Sequence, residues 1–252
     1  MIEIFILSII QGITEFLPIS SSSHLILMSE YLNFDDQSLA VDVSLHIGSF
    51  LAVIVYFYKD MINFFENKIL FLKIIVSSLP TMIIGFFLVK SGLIDKIRNL
   101  ELIAWTTVIF GVLLFISDRF KLDKSVNNNF SFKDAIFVGL LQILSLIPGV
   151  SRSGIAITAA RLLNFKRVDA AKVSFFLSIP ILGAVSFFGL NNLIFSENTY
   201  FTKLNLFSII LSFIFSILTI KYFLKYINKF SLNIFVIYRI FLGVGLLALA
   251  YL

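Results

Sequence analysis

The chain has 252 residues, of which 59% are hydrophobic and only 14% are charged, and its 30 Phe are too much apolar surface to hide in one soluble core. Its mean hydropathy of +0.99 and its recurrent apolar stretches of about twenty residues point to helices that cross a bilayer. Cysteine is absent, which excludes disulfides and thiolate metal sites, and the net charge of +5 sits in short loops between apolar stretches, so it reports topology and not a nucleic-acid partner.

Taken in chain order, the first residues, MIEIFILSII, lack a basic leader and a small-residue cleavage site, so a removable signal peptide is not expected. They open an apolar region, 1–33, that is broken in its middle by Pro18 within the polar cluster LPISSSSH. Spans are expected at 39–58, 69–90 and 100–117, followed by a polar linker over 118–133. A second broken region, 134–163, carries Pro148 within IPGVSRSG, and further spans are expected at 170–190, 206–224 and 234–252. A proline beside several Ser or Gly residues argues for two short helices meeting inside the membrane. Irregular backbone at that depth is tolerated only where protein or a wet cavity surrounds it.

The fold class expected is therefore an all-α polytopic membrane protein, with two re-entrant helix hairpins and about six transmembrane helices, in a single membrane domain over 1–252. The prolines suggest an internal repeat, about 1–117 and 134–252: each half has one proline in a broken hairpin and one in a later span, and SSLPTMIIGFF at 77–87 resembles LSIPILGAVSFF at 177–188. The connections 59–73, 118–133, 161–172 and 221–229 carry 3, 4, 4 and 3 of the twenty Lys and Arg, whereas 30–38, 90–101 and 191–205 carry 0, 3 and 1. The basic set is expected on the cytoplasmic side. The first hairpin then enters from outside and the second from the cytoplasm, which makes the repeats inverted and brings both tips to the midplane.

The polar residues in the hairpins are the candidates for chemistry. Gln11 and Glu15 are spaced i,i+4 and share one helix face before the break. After Pro18, Ser20, Ser21 and Ser22 open the next helix, whose unpaired N–H groups and dipole favour an anion. His24 lies four and three residues beyond Ser20 and Ser21, so a serine nucleophile with a histidine base is chemically reasonable. In the second hairpin, Gly149 and Gly154 permit close backbone approach, Ser151 and Ser153 offer hydroxyls, and Arg152 suits phosphate oxygens. This inventory fits phosphoryl chemistry, which relies on positioning and electrostatic stabilisation. Plainer readings exist: the serine run as helix-packing glue, Arg152 as a counter-charge for Glu15, and Asp42 and His46 as a structural pair. Arg239, in IYRIFLG, is expected to snorkel or to make a structural pair. A transporter is the main rival class, because inverted repeats with broken helices are a transporter architecture.

QGITEFLPISSSSH and PGVSRSG, in this order, resemble the two signature motifs of the undecaprenyl-diphosphate phosphatase family, also called the bacitracin-resistance type. The resemblance covers essentially the whole chain, including SLHIGSFLAV. It implies hydrolysis of undecaprenyl diphosphate to the monophosphate carrier and inorganic phosphate at the outer face of the bacterial cytoplasmic membrane, recycling the carrier for peptidoglycan synthesis and conferring bacitracin resistance. It further implies a divalent cation, Mg2+ or Ca2+. Carried across, the family's acidic motif falls on Gln11 and Glu15, its catalytic serine on Ser21, its histidine on His24 and its phosphate-binding arginine on Arg152. Ser20, Ser22, Ser151, Ser153, Gly149 and Gly154 are the accompanying substrate-binding candidates. Gln11 stands where many members have Glu, so a metal held by Glu15 and Gln11 has one fewer carboxylate than a two-carboxylate site requires. The partners implied are a polyprenyl diphosphate lipid and membrane lipids, no nucleic acid, and a homodimer is allowed.

Overall fold

A computed structural model describes residues 1–32, 39–66, 68–93, 97, 99–120, 123–195 and 203–251. The expected connections at 30–38, 90–101 and 191–205, part of the linker and the last residue of the final span thus lie partly outside the described residues. Among these, every regular element is a helix, and the one bridge of strand type joins Lys124 to Phe165.

The chain begins with α1 (Ile2–Thr14) and α2 (Ser21–Leu32), separated by a tip at 15–20 that carries Pro18. The helix α3 (Leu39–Tyr56) leads to the short α4 (Tyr58–Glu66), then to α5 (Lys68–Lys90) and α6 (Leu100–Ser117). After the linker, α7 (Phe132–Gln142) runs through a 3-10 turn at Ile143–Leu146 into a second tip at 147–151, from which α8 (Arg152–Leu162) departs. The last elements are α9 (Arg167–Phe195), α10 (Lys203–Ile227) and α11 (Asn233–Tyr251). Both expected breaks are present. Five helices (α5, α6, most of α9, α10 and α11) are long and apolar enough to cross a membrane, and α3 is a shorter apolar helix. The chain is a multi-pass membrane protein.

Its polarity pattern is that of a lipid solute. On α10, Ser208, Ser212, Ser216 and Ile220 recur every fourth residue and are buried, while Leu206, Ile210, Ile214 and Leu218 face outward. Lipid offers no hydrophobic drive between helices, so association rests on close packing and on hydrogen bonds across the interface. Ser49 Oγ of α3 lies 3.1 Å from Ser212 Oγ and 3.0 Å from Ser216 Oγ, and Ser212 Oγ donates to Leu45 O at 2.7 Å. Small residues allow this approach: a Cβ on Gly12 of α1 would sit 2.5 Å from Phe215 Cβ of α10. The first hairpin therefore packs on α10, and the second packs on α5, where Gly139 meets Ser77 backbone and Ser77 Oγ donates to Ala135 O at 2.7 Å. Between the two halves lies an aromatic core in which Phe16 meets Phe175 edge-on at 5.5 Å and Phe57 meets Phe176 at 5.3 Å.

The ends of four elements are tied by one buried ion cluster. Arg161, fully buried at the end of α8, donates to Phe165 O, Asp118 O and Phe120 O. Asp118 in turn accepts from Arg167 Nε at 2.7 Å and from Leu232 N at 3.0 Å, joining the exit of α6 to the starts of α9 and α11. Asp118→Ala removes the carboxylate that lies 3.4 Å from the fully buried Arg161, a loss of about 3–5 kcal/mol for a broken buried pair. Thermal unfolding in detergent is expected to show a markedly lower midpoint for this variant.

Candidate active site

The two tips are made by the same local device. Pro18 cannot donate a helical hydrogen bond, and a residue before proline avoids helical backbone, so α1 stops and the chain turns. Ser20 then adopts φ 73°, and α2 starts at the next residue. In the second tip, Pro148 and Gly149 make the turn, Ser151 adopts φ 71°, and α8 starts at the next residue. Ser151 Oγ caps α8 by accepting from Gly154 N at 3.1 Å. Gly149 needs to be glycine twice over: its φ is +90°, and an added Cβ would collide with Thr106 and lie 2.6 Å from Ile103 O. Each left-handed serine stands nine residues after a buried glutamine, Gln11 or Gln142. At that offset Thr14 pairs with Ser145, Ser20 with Ser151, and Ser21 with Arg152.

The tips are clamped together from above and from the side. Ser153 Oγ of the second hairpin donates to Leu17 O of the first at 2.6 Å. Arg239 of α11 is fully buried and reaches both: its Nη1 donates to Pro18 O at 3.2 Å and to Val150 O at 3.1 Å, and its Nη2 to Gly149 O at 2.9 Å. Its Nε donates to Thr107 O at 3.1 Å. Arg239 therefore does not snorkel. Among the described residues no carboxylate pairs with it, and backbone carbonyls satisfy it instead.

Where the tips meet, Thr14, Glu15, Ser20, Ser21, Ser22, Ser145, Ser151 and Arg152 line a pocket of about 310 Å³ counting its open mouth. Glu15 is buried at its base and is held by both hairpins. Its Oε1 accepts from Arg152 Nη2 at 2.6 Å, and its Oε2 accepts from Ser21 Oγ at 2.6 Å and from Gln11 Nε2 at 3.0 Å. Gln11 Nε2 also lies 2.9 Å from His46 Nδ1. Since Glu15 can only accept while ionised, the amide must present its N–H groups to both neighbours, and His46 Nδ1 is the acceptor. Among the described residues nothing bonds Gln11 Oε1, which is buried.

Of the residues singled out in the sequence, Glu15, Ser21 and Arg152 touch one another, and Ser20, Ser22 and Ser151 line the same pocket. Ser153, Gly149 and Gly154 instead hold the two tips in contact; Gly154 lies where an added Cβ would be 3.2 Å from Arg239 Nη1. His24 is placed elsewhere. Its Nδ1 lies 2.6 Å from Ser20 O and its Nε2 lies 2.5 Å from Tyr238 Oη, so neither ring nitrogen meets Ser21. The serine hydroxyl is turned to Glu15. Thr14 and Ser145 were missed, although each follows a glutamine by three residues. Arg239 reaches the tips directly and Tyr238 reaches them through His24, by contacts that no local pattern announces.

A resident divalent cation does not fit these residues. The pocket offers one carboxylate, both of whose oxygens are already engaged, one by a guanidinium. Among the described residues no group of three His, Cys, Asp or Glu could hold a metal ion.

A polar pocket in which a guanidinium and a hydroxyl meet a buried carboxylate, raised on two broken hairpins inside a multi-pass helical bundle, defines the class: an intramembrane protein with a candidate site for phosphate chemistry. The family model described as bacitracin resistance protein BacA matches residues 4–245, and the chain belongs to that family. It is 49% identical over 251 residues to an undecaprenyl-diphosphatase of Pelagibacter ubique (strain HTCC1062), covering 99% of this chain and 98% of that protein. It is 43% identical over 258 residues to an undecaprenyl-diphosphatase of Saccharophagus degradans, covering 97% of this chain and 96% of that one. A further similar protein is the undecaprenyl-diphosphatase of Jannaschia sp. (strain CCS1), at 38% over 262 residues.

The same geometry predicts the effect of restoring a second carboxylate. Gln11→Glu puts it where the amide now lies 3.0 Å from Glu15, and like charges at that distance demand a shared proton or a cation. Calorimetric titration with Ca2+ is expected to show saturable binding in Gln11→Glu and none in the parent chain.

Proposed function

We propose that this chain hydrolyses undecaprenyl diphosphate to undecaprenyl phosphate and inorganic phosphate, and so returns the lipid carrier to peptidoglycan synthesis and confers bacitracin resistance. The observation that carries the reading is the grip on Glu15: a hydroxyl from one hairpin and a guanidinium from the other meet one buried carboxylate inside an anion-favouring pocket. The names borne by the similar proteins support the same substrate.

In this reading Arg152 binds the diphosphate through its remaining donors, and the amide-rich starts of α2 and α8 add to the field. Ser21 Oγ attacks the terminal phosphorus while Glu15 Oε2, 2.6 Å away, takes its proton. The bond from that phosphorus to the bridging oxygen breaks, and the lipid monophosphate leaves with the bridging oxygen, drawing its proton from Glu15. Water then cleaves the phosphoserine by the reverse use of the same carboxylate. Glu15 is thus the base, a role that the histidine spacing in the sequence had suggested for His24. No step runs through a metal; a divalent cation, where one takes part, arrives as the counter-ion of the diphosphate.

The chain's arrangement is proposed to be an inverted repeat. The packing supports it: the first hairpin lies on α10 and the second on α5, the second span after the opposite hairpin in each case. Pro80 and Pro180 do not support it, since Pro80 falls in the second span after its hairpin and Pro180 in the first after its own. The basic connections are proposed to be cytoplasmic and the pocket to open to the outer face of the cytoplasmic membrane.

The test is phosphate release by purified protein in detergent, where transport has no meaning. Ser21→Ala, Glu15→Gln and Arg152→Ala are each expected to lower kcat/KM by about 10²–10⁴-fold, the range for positioned acid–base and charge-stabilising groups. Undiminished release in all three would sink the site, and absence of release by the parent chain would favour a lipid transporter. Orientation has its own check: a tag in the 118–133 linker is expected to be labelled only after the cells are opened.

A further inference from the structure

The carbonyl groups of the two tips are gathered by one dipeptide of α11. Arg239 takes those of Pro18, Gly149 and Val150, and its neighbour Tyr238 reaches a fourth, Ser20 O, through His24. The protonation pattern of that short chain follows from the partners. A carbonyl can only accept, so His24 Nδ1, 2.6 Å from Ser20 O, must carry the hydrogen. In the neutral ring Nε2 is then the acceptor, and Tyr238 Oη, 2.5 Å away, is the donor. The two rings also stack, with centroids 5.7 Å apart and planes 11° from parallel. Neither His24 nor Tyr238 lines the pocket, yet Ser20 does, in the left-handed conformation that aims Ser21 at Glu15.

We infer that Tyr238 is a positioning residue for the hydrolytic reaction: its hydroxyl fixes the His24 tautomer, and His24 holds the carbonyl of Ser20 so that α2 starts with Ser21 against Glu15. This rests on the phosphatase reading of the site. Tyr238 acts at one remove from the substrate. Without the hydroxyl, Nε2 has no donor, the ring is free to exchange tautomers or rotate, and the grip on Ser20 O becomes intermittent. The stacked ring itself is preserved in Tyr238→Phe, so that variant separates the hydrogen bond from packing.

The chain has only two histidines, which makes the tautomer directly observable by 15N NMR of protein labelled at histidine, with His24→Gln used to assign the signals. The parent protein is expected to show His24 as a single Nδ1–H tautomer in the absence of any substrate. Tyr238→Phe is expected to shift its Nε2 resonance and introduce the second tautomer. Its kcat for phosphate release should fall about three- to tenfold, the weight of one neutral hydrogen bond, with KM within about twofold. A parent spectrum with Nε2–H or a doubly protonated ring overturns the inference without any variant. So does an unchanged His24 spectrum in Tyr238→Phe, a shifted spectrum with unchanged kcat, or a loss carried by KM alone. The NMR arm needs no substrate, so a parent chain that releases no phosphate overturns the phosphatase reading and is distinguishable from a failure of Tyr238's role.

Discussion

Arg239 is the group on which the site depends. Two chain breaks inside a membrane protein leave carbonyl groups that lipid cannot satisfy, each an expense of several kcal/mol if left bare. One planar guanidinium with five donors gathers carbonyls from both breaks, and so turns two separately unstable tips into a single rigid body. A lysine at this position offers a point charge and cannot span the same acceptors.

Much of the fold is legible in the residues, because the signals are local. Pro18 and Pro148, each among small polar residues, announce the breaks, and apolar runs of membrane length announce the spans. The meeting of Glu15 with Arg152 also follows once the tips are placed together, since few charged residues lie inside the apolar regions. What cannot be read is direction. Ser21 and His24 share a helix face by spacing, but the left-handed turn at Ser20 swings the serine to Glu15 and leaves the imidazole to the carbonyl behind it. Nothing in ISSSSHL distinguishes these outcomes. The roles of Tyr238 and Arg239 are set by partners 89 to 221 residues away, and no periodicity records such contacts.

The proline pattern teaches a related lesson. SSLPTMIIGFF and LSIPILGAVSFF look alike, yet they occupy different places in the order of elements after their hairpins. Proline recurs in membrane helices because neighbouring helices absorb the lost hydrogen bond, so its recurrence is weak testimony to duplication. The nine-residue interval from glutamine to left-handed serine is stronger, since it ties a buried amide to a defined backbone conformation in both hairpins.

That interval places Ser21 and Arg152 at corresponding points, each the first helical residue after its turn, each bonded to the same carboxylate. The scaffold is close to symmetric there, and a single difference of side chain gives it an electrical sense: a proton donor at one end, a fixed cation at the other. A diphosphate has two unlike ends of its own. In the proposed reaction this gives the site a built-in regiochemistry, because only one end-to-end placement sets the terminal phosphorus before the hydroxyl. On that proposal, which of the two P–O bonds to the bridging oxygen breaks is decided by the divergence of two matching positions, before any question of affinity arises.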